Sequence, residues 1–319
     1  MKKLGIVFSI SLLIATNYCI ASEDAKSLVS NAERIVLNGL RSSDDGIRAN
    51  SIEVASYSSN LKLIEKATDL LTDPSPMVSF AAAIAIGDTQ YLKSEPKLIQ
   101  MAKSEDLNVA IAASYALCKL GKTEYLKKIE EATNAMDPTV VANAAMLLGK
   151  LKNKASLPLL YKLKDDPASS DIVAFNAVEA IARIGDAKIY AKIWTMLLSV
   201  YADDRYMGAC AMGTFGGSRG ANALITLLDD DVPEVRLAAA EQLGKLGDAS
   251  GQVVVLEYLN NPPKDEKTAV EKRNVLAALA IGQIGGEPLT AFLPKLLKSD
   301  MPQVQLAAAK SIFILAKGQ

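Results

Sequence analysis

A repeat of about 31 residues runs through almost the whole chain and constrains the fold more than any other feature. The equivalent positions in successive units, which we call the anchors, are Ile47, Val78, Val109, Val140, Val173, Asp204, Val235, Arg273 and Val304. Six of the eight intervals between anchors are 31 residues, one is 33 and one is 38. Units of this size cannot bury a hydrophobic face alone, so they must stack on their neighbours to form a solenoid.

The pattern inside each unit predicts two helices. In four units the first helix begins with proline two residues before the anchor, where its missing N–H costs nothing, and aspartate just ahead can cap the helix. These prolines are Pro76, Pro138, Pro233 and Pro302, and the aspartates are Asp73, Asp137, Asp231 and Asp300. Glycine often follows twelve residues after the anchor, at Gly121, Gly185, Gly216, Gly247 and Gly285. This position indicates a left-handed C-terminal cap.

The second helix is predicted from two rows of non-polar side chains, 20 and 23 residues after each anchor. Their i, i+3 spacing is typical of a buried helical stripe. The first row is Ala67, Leu98, Ile129, Leu160, Ile193, Leu224, Val255 and Leu293. The second row is Leu70, Met101, Ala132, Leu163, Met196, Leu227, Tyr258 and Leu296.

A polar row accompanies the buried stripe, 22 residues after each anchor. It consists of Asp69, Gln100, Glu131, Lys162, Thr195, Thr226, Glu257 and Lys295. If the second helices line the concave face of the solenoid, this row is the best candidate surface for binding a partner. The alternative is that it is only the solvated side of an amphipathic helix. The row carries charges of both signs. This pattern favours a protein as the partner over a nucleic acid, because binding a phosphate backbone requires a basic stripe.

The solenoid pattern resembles the HEAT-like repeats first recognised in phycobilisome lyases, most clearly in residues 230–249 (DDVPEVRLAAAEQLGKLGDA). The resemblance covers about residues 30–317 and implies an all-α fold, a right-handed α–α superhelix forming one domain over residues 22–319. The family's inter-helix arginine occurs only at Arg48, Arg205 and Arg236, so most rungs of its Asp–Arg ladder are missing. We expect eight full repeats, with half-repeats at residues 25–40 and 302–317 capping the two ends.

The N-terminus predicts export. Lys2 and Lys3 precede a short apolar run, and Cys19 and Ala21 occupy the positions of a small-x-small cleavage site, so residues 1–21 are identified as a signal peptide cleaved after Ala21. The apolar run is shorter than the roughly 20 residues that span a bilayer. The alternative, a lipid anchor on Cys19, fits poorly with the preceding residues. We therefore expect a periplasmic or secreted monomer without a membrane-inserted segment.

The composition argues against several kinds of chemistry. The chain has no histidine, the commonest general base and zinc ligand, and its 35 Lys and Arg nearly balance 36 Asp and Glu. Residues 213–220 (GTFGGSRG) lack the Lys-Ser/Thr of a P-loop and follow a helix, so they are predicted to be a turn. Cys118 and Cys210 lie three repeats apart, too far for a disulfide, and are expected to be packing residues. No cofactor, metal or catalytic residue is predicted.

Two irregular features offer other candidate surfaces. Four aromatic residues, Tyr190, Trp194, Tyr201 and Tyr206, gather around one repeat junction. Tyr190 and Trp194 share a helix face and are candidates for partner binding, although aromatics also fill gaps where repeats change register. The insertion at residues 260–272 produces the 38-residue interval and is expected to be an exposed, tolerated loop.

These features lead to one main functional hypothesis and two alternatives. The main one is a non-catalytic exported scaffold that binds a protein partner along its concave face. The first alternative, implied by the resemblance, is an enzyme or chromophore chaperone similar to the bilin lyases, although export separates the chain from a cytoplasmic tetrapyrrole pathway. The second is nucleic-acid binding, which the near-neutral charge disfavours.

Overall fold

A computed structural model describes residues 22–262 and 266–318, which form 18 α-helices, α1 to α18, without a strand in these ranges. The predicted signal peptide lies outside the described residues. The first helices of the repeats are α2 Asp45–Tyr57, α4 Pro76–Thr89, α6 Leu107–Lys119, α8 Pro138–Leu151, α10 Asp171–Ile184, α12 Ala202–Phe215, α14 Pro233–Lys245, α16 Lys267–Ile284 and α18 Pro302–Lys317. The second helices are α1 Ser22–Gly39, α3 Leu61–Asp69, α5 Glu95–Met101, α7 Leu126–Ala132, α9 Leu157–Asp165, α11 Tyr190–Leu197, α13 Gly217–Ile225, α15 Gln252–Asn260 and α17 Leu293–Leu296.

Local sequence determines where the first helices begin and end. Proline occupies the first turn of α4, α8, α14 and α18, and the Asp137 carboxylate accepts a hydrogen bond from the Thr139 N–H. All five glycines predicted to end these helices have positive φ. Gln90 and Lys152 occupy the same register position in two other repeats and adopt φ of 53° and 54° without being glycine. Gln90, Lys152 and Gly185 are left-handed caps, as predicted, whereas Gly216 and Gly285 combine positive φ with ψ of −164° and −169° and are not left-handed helical. These two positions use a conformation that is essentially restricted to glycine.

The buried stripe of the second helices is confirmed for the row 20 residues after the anchors and for six of the eight residues in the row 23 residues after them, whereas Leu70 and Met196 are half-buried. All eight residues 20 positions after the anchors are buried, and all eight in the polar row 22 positions after the anchors are exposed. Among the described helices, none combines the length and apolarity needed to cross a bilayer.

The two terminal half-repeats do not cap separate ends, as the sequence suggested, but pack against each other. Helix α18 contacts α1 and α2 as well as α16. Among the described residues, no first helix precedes α1 and no second helix follows α18, and these two helices pack together as the two helices of a ninth repeat. The hydrophobic core runs through this junction, with Val36 and Ile312 in one buried cluster. The superhelix therefore closes into a ring.

The first helices form the inner wall of the ring. Each contacts the first helix of the next repeat, whereas the second helices, apart from α1 and α3, barely touch one another. Elements that converge must lie on the inside of a closed ring. The prediction that the second helices line the concave face was therefore wrong, because it assumed the opposite curvature.

Small residues allow the first helices to approach closely. Nine residues after the anchor, glycine occurs at Gly87, Gly149, Gly213, Gly244 and Gly282. A Cβ at Gly149 would lie 2.6 Å from the Cα of Ala180 on the next first helix, and one at Gly282 would lie 2.6 Å from the Cα of Ser311. Real side chains do not tolerate such distances, so these glycines permit the tight inner packing.

Arginine rungs connect neighbouring repeats at two of the three predicted positions. Arg48 donates from Nε and Nη2 to the two carboxylate oxygens of Asp73, both at 3.0 Å, and Arg205 makes the equivalent pair with Asp230. Burial raises the pKa of Asp73, but hydrogen bonds from Arg48 and from the Ser75 N–H outweigh it and hold the pKa below its usual range. Arg236 instead donates to the backbone carbonyls of residues 230 and 231.

The insertion near residue 263 is only partly a loop. Helix α15 ends at Asn260, and α16 begins at Lys267, six residues before its anchor. The last six residues of the predicted loop, 267–272, are therefore helical. They make α16 more than a turn longer at its start than the first helices that begin two residues before their anchors. Residues 263–265 lie outside the described ranges.

Candidate binding surface on the inner wall

The inner wall is built from side chains that recur at four register positions of the first helices, one before the anchor and three, six and ten after it. These positions share one helix face. Nine helices about 9 Å apart form a circle of roughly 13 Å radius through their axes. Subtracting a helix radius of about 5–6 Å from the radius of this circle leaves a central opening on the order of 15 Å in diameter.

One polar cluster shows directly that this face is concave. The Asp88 carboxylate on α4 accepts a hydrogen bond from the Tyr115 hydroxyl on α6 and another, at 2.9 Å, from Lys150 Nζ on α8. Lys150 and Asp88 lie two repeats apart, and side chains on alternate helices can meet only where the helices converge. Burial, followed by the hydrogen bond to Asp88, raises the pKa of Tyr115, so the hydroxyl stays protonated at neutral pH.

A second cluster lies at the junction between the two ends of the chain. Lys310 Nζ on α18 donates to Glu53 Oε1 on α2 at 2.6 Å and lies 4.5 Å from the centre of the Tyr57 ring. Burial lowers the pKa of Lys310, but the Glu53 carboxylate outweighs it and the pKa is raised. Near the other edge of the wall, Asn50 Nδ2 donates to Gln303 Oε1 at 2.7 Å. These pairs fix the register of the closure.

Between these clusters, the inner faces of α10, α12 and α14 line an open cavity of about 750 Å³. Its polar lining includes two acid–base pairs, Glu179 with Arg183 and Glu241 with Lys245. Each pair is spaced i, i+4 on its own helix, which is the favourable spacing for an ion pair. The apolar lining residues are Ile172, Phe175 and Met207. The cavity thus combines apolar area with charges of both signs.

The cavity also contains Cys210 and Tyr206. Burial, followed by the charge of Glu241, raises the pKa of the Cys210 thiol to about 12, and burial also raises the pKa of Tyr206. A thiol with this pKa is almost entirely protonated at neutral pH and is a poor nucleophile. Cys210 and Cys118 are both free, as predicted, and burial raises the pKa of Cys118 to about 11.

The residues predicted as binding candidates lie elsewhere. The exposed polar row, Asp69, Gln100, Glu131, Lys162, Thr195, Thr226, Glu257 and Lys295, lies on the outer helices, so it does not face the concave side. Its role in binding stays a prediction.

The predicted aromatic group divides between the two sides of the ring. Tyr190 stacks on Trp194 with ring centres 6.3 Å apart, and the Arg219 guanidinium carbon lies 3.4 Å from the centre of Tyr190. Arg219 covers one face of Tyr190, so the ring is already engaged within the protein. Tyr206 belongs to the inner-wall cavity, and Tyr201 is exposed on a loop.

Sequence reasoning missed the inner-wall residues, although a signal was present. Glu53, Glu179, Glu241 and Lys310 all lie six residues after an anchor, inside otherwise apolar first helices. A charged residue at that position requires a partner or a polar cavity, and the structure supplies both. Within the described ranges, no group of three His, Cys, Asp or Glu side chains is placed to hold a metal ion.

The fold and this wall define a class of protein, a ring of helical hairpins whose concave surface is lined by the first helix of each repeat. The family of HEAT repeats matches residues 34–118, 64–134, 95–182 and 195–273. The chain belongs to the HEAT-repeat family.

Several solved structures are similar in fold at low sequence identity. The CpcE–CpcF complex of phycocyanin lyase from Nostoc matches at 19% identity with a TM-score of 0.45, covering 77% of this chain and 93% of that one. Human deoxyhypusine hydroxylase matches at 14% identity with a TM-score of 0.37, covering 82% and 98%. YibA of Escherichia coli matches at 17% identity with a TM-score of 0.38, covering 80% and 97%. A search of curated proteins finds no sequence match.

Proposed function

We propose that the protein is a non-catalytic exported scaffold that binds a segment of a partner protein against the inner wall of its ring. The cavity on α10, α12 and α14 is the observation that carries this proposal, because it joins apolar area to paired charges on the concave side. Recognition of a polypeptide requires that combination, with apolar side chains to anchor the segment and polar groups to orient it.

The dimensions of the ring support a segment rather than a folded domain. An opening on the order of 15 Å admits an extended chain or a single helix, which is about 10–12 Å wide with side chains, but not a small domain about 30 Å across. The acid–base pairs of the wall argue against a nucleic-acid backbone, which requires unpaired positive charge.

A small molecule in the same cavity is the second candidate function. Its volume of about 750 Å³ lies within the range of ligand pockets, roughly 300–1,000 Å³. A chromophore chaperone similar to the bilin lyases would use the cavity in this way. Titration with tetrapyrroles tests it, because a bound chromophore shifts its absorbance spectrum and an unbound one does not.

Export to the periplasm or the medium, as a monomer, is part of the same proposal and rests on the N-terminal sequence. N-terminal sequencing of the protein recovered outside the cytoplasm should begin at Ser22. Retention in the cytoplasm with residues 1–21 still attached would contradict it.

Photo-crosslinking from single positions tests where a partner binds. A photoreactive residue replaces either Met207, which lines the cavity, or Thr195, which is exposed on the outer polar row. The proposal expects a discrete crosslinked protein from envelope or medium extract at Met207 and none at Thr195. Crosslinking only at Thr195 would assign binding to the outer row, and no crosslinked protein at Met207 would refute a protein partner on the inner wall.

A further inference from the structure

One rim of the ring carries an unusual concentration of exposed apolar side chains. The first helices all run in the same direction, so their N-terminal ends lie at the same rim. Over five consecutive repeats, from α4 to α12, the residues at these ends include seven large hydrophobic side chains in solvent. We call this set the apolar arc: Met77, Leu107, Met136, Ile172, Leu198, Val200 and Tyr201.

The exposure of the arc is too great to be incidental. Met136 is fully exposed, Val200 is 86% exposed and Tyr201 is 71% exposed. At the N-terminal ends of the other four first helices, the described residues include no exposed large hydrophobic side chain. Isolated exposed hydrophobic residues are normal, but their concentration on one rim is typical of an interaction site.

The charge around the arc is predominantly negative. The four rim segments 103–108, 134–139, 166–172 and 198–204 contain one basic residue, Lys103. Their acidic residues are Glu105, Asp106, Asp137, Asp166, Asp171, Asp203 and Asp204. N-termini of first helices and C-termini of second helices meet at this rim, so their dipoles largely cancel and the carboxylates determine the sign of the potential.

The arc is continuous with the inner-wall cavity. Asp171 and Ile172 lie on the rim at the start of α10 and also line the cavity. A chain lying along the arc can therefore continue past Ile172 into the cavity of the inner wall. The arc spans five repeats whose first helices are about 9 Å apart around a curve, with Leu198, Val200 and Tyr201 on one of these repeats. A flexible segment can follow this curve and a rigid flat surface cannot.

We propose that the apolar arc is the docking surface for a cationic, amphipathic segment of the partner protein. The inference deepens the proposed scaffold function by naming the chemistry of the partner. Apolar side chains of the segment cover the arc, and its Lys or Arg side chains pair with the carboxylates between the arc residues. An anionic lipid surface fits the same apolar side chains poorly, because these carboxylates would repel it.

Peptide binding to the mature protein, residues 22–319, tests the inference. The probe is a fluorescent peptide of about 12 leucine and lysine residues in amphipathic order, long enough to cover about 40 Å when extended. A leucine–glutamate peptide of the same order is the charge control. We expect the leucine–lysine peptide to bind with a micromolar Kd in an anisotropy titration at physiological ionic strength, and the leucine–glutamate peptide to bind at least a hundredfold more weakly.

The matched variants are Leu198→Lys on the arc and Leu61→Lys on the opposite rim. The two leucines are 67% and 68% exposed, and both changes add one positive charge to an exposed site. Leu198→Lys is expected to weaken binding at least tenfold and Leu61→Lys less than twofold, with circular dichroism confirming that both variants fold.

Several outcomes would overturn the inference. They are equal weakening by the two variants, equal binding of the two peptides, and no binding of the leucine–lysine peptide. Binding of the protein to phosphatidylglycerol vesicles that Leu198→Lys abolishes would assign the arc to a membrane. Concentration-dependent self-association abolished by the same change would assign it to a second copy of the chain. If a partner is still trapped at Met207 in any of these cases, the scaffold function stands without the arc.

Discussion

Closure of the ring predicts a large stability cost for Ile312→Ala. Ile312 lies eight residues after the anchor of α18 and is 3% exposed, although no second helix follows α18 among the described residues. Its cover comes from α1. The change removes three carbon atoms, worth about 0.8 kcal/mol each in transfer free energy. Adding a term for the remaining cavity gives a total of about 3–4 kcal/mol.

Urea unfolding of residues 22–319 measures this cost. Circular dichroism reports all helices, and the fluorescence of Trp194, which lies in a repeat far from the junction, reports the other side of the ring. Ile181→Ala on α10 is the matched control, because Ile181 is also eight residues after its anchor and is fully buried. Closure would be refuted if Ile312→Ala lowered the free energy of unfolding by less than about 0.5 kcal/mol, which is typical of an exposed site, while Ile181→Ala lowered it by the full amount.

Three further predictions concern the turns, the inner packing and the arginine rungs. Lys152→Gly should raise the free energy of unfolding by about 0.5–1 kcal/mol in urea, because glycine adopts the observed positive φ without strain; a decrease would contradict this account of the turn. Gly282→Val should lower the thermal midpoint and cost about 1–3 kcal/mol or more, since the added atoms collide with α18; an unchanged midpoint would mean that the helices can separate freely. The stabilisation linked to Asp73, whose folded pKa is lowered, should be full above the unfolded pKa of about 3.9 and be lost as pH falls through the folded pKa. Arg48→Met should therefore reduce the acid dependence of stability below about pH 4, and an unchanged pH profile would exclude the Arg48–Asp73 rung as its source.

The helices and the core of each repeat could be predicted because their signals are local. Proline at the start of a first helix and glycine twelve residues after an anchor act through the backbone of a few residues. The buried rows follow from i, i+3 spacing within one helix. The expected left-handed cap forms even where the residue departs from the pattern, since Gln90 and Lys152 adopt the conformation of Gly185.

The closure and the concave side could not be predicted in the same way. The curvature of a solenoid is the sum of small rotations between repeats, and a few degrees per repeat separates an open superhelix from a ring. The sequence contained one relevant signal, the glycines nine residues after five anchors. They let the first helices approach each other, which places those helices on the inside and the polar row on the outside.

The candidate site could not be predicted because it depends on the curvature of the solenoid. Because Glu179 and Glu241 belong to different repeats, their presence around one cavity follows only from the packing of α10, α12 and α14. The apolar arc is similar, since its members come from five repeats and share nothing in sequence except their nearness to a helix start.

The pairing of α1 with α18 separates the order of the helices in the chain from their order in space. In the other repeats a short turn joins the end of a first helix to the start of its second helix, as between Thr89 and Glu95. Ala25 near the start of α1 and Ala316 near the end of α18 line one small pocket, so these ends lie close together. A circular permutant that begins at α2 and joins α18 to α1 through such a turn would therefore keep every contact of the ring. Its ninth repeat would become a continuous hairpin, and the break would move to the loop between α1 and α2.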